Sequence, residues 1–271
     1  MKTAVITGGN CGIGKAVAME LAKKGYRTII HGKNATKTKA AADEIIRGSG
    51  NSNVDYCVAD VSCIKGMKEL AVAIQEKTDV VHSLVLSTGV ILTKQVLTDD
   101  ALEMGFAVQY LSRFTLTQLL MQELKKGQAK IVLVGAPKIA NAKVFLDNLS
   151  LKNNFTMMKA LAQEMYCNHL FVQEFAKRNP DNGVVINMAH VGVAKTGITR
   201  NLNFFLRLII ELTGKSPAAA AGNFVYLASD ESVNFSGYFL KKPGATLVKE
   251  KIQYDAVLAA QLWDKSLGLI R

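Results

Sequence analysis

Apolar residues fall along this chain in two kinds of run. Short runs rich in Val, Ile and Leu at 2–7, 27–31, 54–59, 83–87, 131–134, 184–188 and 238–240 read as strands. Between them lie longer stretches whose apolar positions recur every three or four residues. These predict helices over 12–24, 34–47, 63–78, 97–124, 155–178, 217–228 and 254–268. Gly25 stands where a C-cap glycine ends the first helix, and Pro217 opens another. Gly48-Ser49-Gly50-Asn51-Ser52 and Asn179-Pro180-Asp181-Asn182-Gly183 are loops. Strands alternating with helices imply an α/β fold with a parallel, doubly wound sheet. No repeat, low-complexity tract or linker breaks the alternation, so 1–271 is expected to form one domain.

Composition narrows the class. Of 271 residues, 49% are hydrophobic, enough for a large core. Met1-Lys2-Thr3 leads straight into a strand, so no targeting segment is expected. The apolar run at 204–210 is broken by Arg207 and is too short to span a bilayer. Cys11, Cys57, Cys63 and Cys167 have no metal-ligand spacing and are too few for a disulfide framework. A reducing cytoplasm and no metal are the resulting expectations. The formal net charge of +11 fits an anionic ligand, an anionic surface or simple solubility. The lysines are scattered and no nucleic-acid motif accompanies them, which argues against a nucleic-acid partner.

The densest chemistry lies at Thr7-Gly8-Gly9-Asn10-Cys11-Gly12-Ile13-Gly14, between the first strand and the first helix. Glycines there let the backbone turn tightly and come close to a pyrophosphate, while the helix start offers N–H groups and partial positive charge. Gly8, Asn10, Cys11, Gly12, Ile13 and Gly14 are therefore candidate phosphate-cradle residues. The alternative is a glycine-rich turn without a ligand.

The spacing of that turn resembles the T-G-x-x-x-G-x-G of the short-chain dehydrogenase/reductase family, and the resemblance extends along the chain. Phe106-Ala107-Val108-Gln109-Tyr110-Leu111, Lys215-Ser216-Pro217 followed by Tyr226-Leu227-Ala228, and His190-Val191-Gly192 through Thr196 are similar to segments of its retinol-dehydrogenase-like branch. The resemblance implies a Rossmann-type sheet and a nicotinamide dinucleotide. Lys33-Asn34 follows the second strand, where the branch carries Arg-Asn, and a cation there favours NADP(H) over NAD. A solvated surface lysine is the alternative. Asp60-Val61 is similar to the family's adenine-edge pair, and Ser87-Thr88-Gly89 replaces its Asn-Ala-Gly. Val191, Gly192 and Thr196 complete the implied cofactor residues.

The family's reaction centre is not matched. It uses an Asn, a Ser, a Tyr and a Lys, the Tyr as acid or base and the Ser to polarise a carbonyl. The corresponding positions hold Gln109, Ala136, Leu161 and Met165, with Lys159–Phe171 mirroring the branch's helix without a gap up to His190. A rival alignment, Phe155-x-x-x-Lys159, keeps a lysine but loses the phenol and lengthens the helix. Tyr166 is roughly 140° round the helix from Leu161 and cannot step in. His190 is a catalytic candidate by its near-neutral titration, and Tyr110 by adjacency to Gln109, with structural roles as the alternatives. Glu164 is expected to be solvated or paired along its helix, and Lys138 exposed. By analogy with the family's substrate loop, 197–214 is expected to be a lid, with a buried helix or a membrane or partner contact as alternatives.

These observations lead to an NADP(H)-binding enzyme of small-molecule metabolism, monomeric or homodimeric, with an apolar substrate and chemistry other than the family's. Candidates are hydride transfer to C=C, cyclisation or isomerisation. A non-catalytic nucleotide sensor or scaffold, and a carbonyl oxidoreductase with an unrecognised acid, remain alternatives.

Overall fold

The computed structural model describes residues 1–190, 192, 214, 216–240, 249–251 (backbone only) and 254–271. The first half alternates β1 (Thr3–Thr7), α1 (Gly12–Lys23), β2 (Arg27–Gly32), α2 (Ala35–Ser49), β3 (Val54–Val58), α3 (Ile64–Gln75) and β4 (Ser83–Leu86). A compound helical segment follows: α4 (Met104–Phe106), a π-helical turn (Ala107–Leu111), α5 (Ser112–Leu119) and α6 (Met121–Lys126). Then come β5 (Lys130–Gly135), α7 (Met157–Arg178), β6 (Val185–His190), α8 (Pro217–Ser229), β7 (Tyr238–Leu240), β8 (Lys249–Lys251) and α9 (Ala256–Ile270). The strand order is β3-β2-β1-β4-β5-β6-β7-β8. The first seven strands run parallel, and β8 pairs antiparallel to β7, so the strand expected to be last is not the edge.

Successive strand residues feed opposite layers, as the pleat requires. Val5, Ile29, Leu84, Ile131, Ile186 and Phe239 pack into a core with α3, α5, α7 and α9. Ala4, Ile6, Ile30, Val85, Val132 and Leu240 pack on the other face with α1, α2 and α8. Both faces are covered, which is why the strands read as continuous apolar runs. No helix among the described residues is long and apolar enough to cross a membrane.

The single helix expected over 97–124 is a correction. Leu97 bridges to Glu103 and Thr98 N–H donates to the Leu102 carbonyl at 2.8 Å, a loop that delays the helix to Met104. The chain bends again at Leu120 (φ −96°, ψ 13°), between α5 and α6. Side chains cap α2 (Asn34), α3 (Cys63), α7 (Thr156), α8 (Ser216) and α9 (Asp255). At the start of α1, Cys11 makes no such bond.

Candidate functional site

The order of the sheet reverses between β1 and β4, and in such sheets the crevice beyond the strands' carboxyl ends is the ligand position. The glycine turn stands there. Gly8 (φ +65°) and Gly12 (φ +55°) adopt the left-handed conformation that side chains resist. A Cβ at Gly14 would fall on the Gly8 carbonyl oxygen and on Ser87 Oγ, and one at Gly9 would lie 2.8 Å from the Ile30 side chain. Ser87 Oγ donates to the Thr7 carbonyl at 2.6 Å and Thr7 Oγ1 accepts the Ser87 N–H at 3.1 Å, joining the ends of β1 and β4. A tight backbone cradle against a helix start with no side-chain cap fits a pyrophosphate. The Ile13 side chain is buried in the core, so only its backbone is available to the crevice.

His31 belongs to this turn and the sequence did not single it out. Its Nε2–H donates to the Ala59 carbonyl at 3.1 Å, and its Nδ1 accepts the Gly8 N–H at 3.5 Å. Burial pushes this imidazole below its ordinary range, against a smaller opposing pull from Ala59 and Asp60. A neutral ring thus ties the glycine turn to the end of β3.

The ends of β2 and β3 form the next part. Lys33 Nζ pairs with Asp60 Oδ2 at 2.5 Å, the lysine largely exposed. Partial burial raises the Asp60 carboxyl, but Lys33 and the two Ser62 hydrogen bonds outweigh it and hold it below the usual range. Asn10 Nδ2 donates to Thr38 Oγ1 at 3.4 Å beside Gly32. Asn34 Oδ1 is engaged as the α2 cap, accepting Lys37 N–H at 2.9 Å. Val61 is buried and Gly89 exposed at the crevice. Gly192 has φ +71°, and no atom of the described residues lies within 4 Å of where a Cβ would stand. Val191, Thr196 and all of 197–214 except Gly214 lie outside the described residues.

Of the residues at the expected tetrad positions, Gln109 sits in the π-helical turn and donates from Nε2 to the Val90 carbonyl at 3.1 Å. The Ala136 carbonyl, just past β5, accepts from His169 Nε2 at 3.0 Å. Leu161 and Met165 are half-buried on α7. His190 ends β6 opposite Gly135, and among the described residues its Nδ1 has no partner; burial lowers its pKa, against a smaller pull from the Gly135 backbone. Tyr110 is not beside them. It is fully buried, its hydroxyl 2.8 Å from Ser266 Oγ on α9, and burial pushes its phenol far above the ordinary value. A buried phenol tied into the helical layer cannot reach a substrate.

Glu164 corrects the expectation of a solvated side chain. It is 4% exposed. A Cβ at Gly105 would lie 2.5 Å from Glu164 Oε2 and 3.0 Å from Glu103 Oε2, so both buried carboxylates converge on the space that this glycine leaves. Burial pushes the Glu164 carboxyl well above its ordinary range, and the Glu103 charge adds to this, against smaller pulls from Gln109 and Arg113. Asn168 Nδ2 donates to the Gln109 carbonyl at 3.0 Å, and Arg113 spans Asn168 Oδ1 (3.2 Å) and the Thr88 carbonyl (3.0 Å). A buried polar network therefore runs from the turn after β4 to α7. Spacing on α7 offered a faint signal, since 161, 164 and 168 share one helix face. Lys138 is exposed as expected, with its Nζ 3.8 Å from the centre of the Tyr166 ring.

A family model described as short chain dehydrogenase matches residues 2–143. Human retinol dehydrogenase 13 is 32% identical over 99% of this chain and 84% of its own length. Mouse retinol dehydrogenase 12 is 30% identical over 99% of this chain and 86% of its own. A short chain dehydrogenase from Burkholderia cenocepacia, solved in complex with NADP, superposes with a TM-score of 0.72 at 19% identity, covering 90% of this chain and 96% of that one.

Proposed function

Because this chain belongs to the short-chain dehydrogenase/reductase family, in its retinol-dehydrogenase-like branch, we propose that it binds NADP(H) and transfers hydride to an apolar small molecule without the family's tetrad. Bound, the nicotinamide supplies a hydride. The chain's own residues do the rest of the binding. The backbone from Gly8 to Gly14 and the start of α1 hold the pyrophosphate, and Lys33 exchanges part of its pairing with Asp60 for a 2′-phosphate.

The observation that supports the reading is the tight glycine turn at the sheet's switch point, taken with Gln109, Ala136, Leu161 and Met165 at the positions where the family's tetrad is expected. Ala136 offers no hydroxyl to polarise a carbonyl and Leu161 no phenol to protonate one. An activated C=C bond, which develops less charge on oxygen, suits this lining better than a simple ketone. A second reading, carbonyl reduction with an unfamiliar acid, is favoured by the burial of Glu164.

Titration calorimetry and an NADPH-oxidation assay test the proposal together. NADP is expected to bind more tightly than NAD, and Lys33→Ala to weaken NADP by about 1–3 kcal/mol, the scale of a charge-assisted hydrogen bond. Turnover is expected on conjugated C=C acceptors, with simple aldehydes and ketones slower by about 10²-fold or more. Tighter NAD binding overturns the cofactor choice; efficient reduction of simple ketones alone favours the second reading.

A further inference from the structure

Two buried carboxyl groups stand behind Leu161, and the reading of hydride transfer to a C=C bond so far leaves them without a task. Glu103 precedes α4 and accepts the Phe106 N–H through Oε2 at 2.7 Å. Glu164 lies three residues beyond Leu161 on α7, about 60° from it round the helix. Oxygens of both lie beside the missing Cβ of Gly105, so they can be no farther apart than the sum of 2.5 and 3.0 Å. Both line a cavity of about 10 Å³, room for one water, together with Val90, Ala160 and Leu161.

We propose that Glu164, backed by Glu103, is the proton donor of this site, acting through one water in the cavity that both share with Leu161. The proposal rests on the hydride-transfer reading above. Its electrostatics follow from the surroundings. The cation that acts on Glu164 is Arg113 on α5, but its Nη atoms are engaged by Asn168 and Thr88, and among the described residues its Nε has no partner and no ion pair joins it to either carboxyl. Cys167 is a further titratable group that Glu164 acts on, and burial pushes its thiol well up. Two carboxylates this close cannot both stay charged away from water without a large desolvation and repulsion penalty, so one keeps its proton. Burial first, and the Glu103 charge second, hold Glu164 well above the ordinary carboxyl range, against smaller pulls from Gln109 and Arg113.

The step balances simply. The substrate's double bond gains a hydride at one end, and its electron pair moves to the other end. That atom takes a proton from the water, and the water takes one from Glu164, leaving a carboxylate that solvent reprotonates. Leu161 has no part beyond shaping the wall.

Infrared spectroscopy of the apo protein at about pH 7 reads the proton directly. A carboxylic-acid carbonyl band is expected in the wild type and is lost in Glu164→Gln. With NADPH and a conjugated C=C acceptor, Glu164→Gln is expected to lower kcat by about 10²-fold or more, with KM and NADPH affinity unchanged within about twofold. Glu164→Asp is expected to recover part of the loss, and the alkaline limb of the wild-type pH profile to vanish in Glu164→Gln. An ionised Glu164 in the wild type, or full turnover in a folded Glu164→Gln, overturns the donor role alone. A wild type inert toward every double bond overturns it together with the hydride-transfer reading. If Glu164→Gln does not fold, the wild-type spectrum and Glu164→Asp decide.

Discussion

A methyl group added at Gly14 would meet the Gly8 carbonyl oxygen and Ser87 Oγ, and a backbone carbonyl in a tight turn has nowhere to go. Gly14→Ala is therefore expected to cost about 1–3 kcal/mol of stability, as overpacking does, and to abolish nucleotide binding by deforming the cradle. Gly25→Ala is the control. Nothing lies within 4 Å of its missing Cβ, so only its left-handed φ of +81° is penalised, by about 1–2 kcal/mol. Denaturant unfolding and calorimetry with NADP separate the two, and normal binding by a folded Gly14→Ala would remove the turn from the site. This contrast explains what single residues made legible. A glycine turn announces itself because glycine has a backbone meaning that needs no partner. Glu164 and His31 do not. A glutamate on a helix reads as solvated until Gly105 and Glu103, some sixty positions earlier, are brought against it, and a histidine in a strand has no visible partner until Ala59 and Gly8 close around it.

Among the elements, the alternation of strands and helices was plain in the sequence, because period two and period 3.6 differ strongly in runs this apolar. What it hid were interruptions inside one period. The stretch 97–124 keeps helical spacing throughout, yet contains a loop, a π-helical turn and a bend at Leu120, set by bonds such as Thr98 to Leu102 and by packing from other elements. α9 is the chief of these. Its Trp263 stacks edge-on against Phe114 of α5 at 5.0 Å and lies 6.1 Å from Phe171 of α7, with Arg178 4.8 Å from its ring, while Ser266 receives the Tyr110 hydroxyl. The terminal helix thus clamps α5, α7 and the π-helical turn that carries Gln109. Trp263→Ala is expected to destabilise the protein by about 3–5 kcal/mol, the cost of emptying a buried indole site. Unfolding followed by circular dichroism checks it, since Trp263 is the chain's one tryptophan and fluorescence would vanish with it. A loss below about 1 kcal/mol would mean that α9 only rests on the surface.

Across the whole molecule, charge and burial combine into an acid sensitivity that does not depend on any one site. The chain has four histidines, and desolvation is the leading cause that lowers His31, His82, His169 and His190 alike from 6.5. A histidine held neutral in the fold contributes stability that is present above about pH 6.5 and lost as pH falls through its lowered folded value. Between those values the unfolded chain binds up to four protons that the native state refuses, chiefly at the deeply buried His31 and His169 and less at the partly buried His82 and His190, where solvent weakens the effect. Glu164 acts in the opposite sense. Its carboxyl is raised well above 4.5, so the fold holds one proton there that the unfolded chain releases, which leaves at most three in favour of the unfolded state. Each fully differing proton tilts stability by about 1.4 kcal/mol per pH unit. Unfolding free energy, read from urea titrations, is therefore expected to fall steadily from about pH 7 to about pH 5, before the carboxylates that pair on the surface begin to titrate. The formal charge of +11 adds self-repulsion as these imidazoles charge. Glu164→Gln removes the one opposing proton, so its stability curve should fall more steeply than the wild type's over the same interval. A wild-type curve that is flat or rises on acidification would mean that the histidines open to water without unfolding the chain. A Glu164→Gln curve parallel to the wild type's would mean that Glu164 is ionised in the native state.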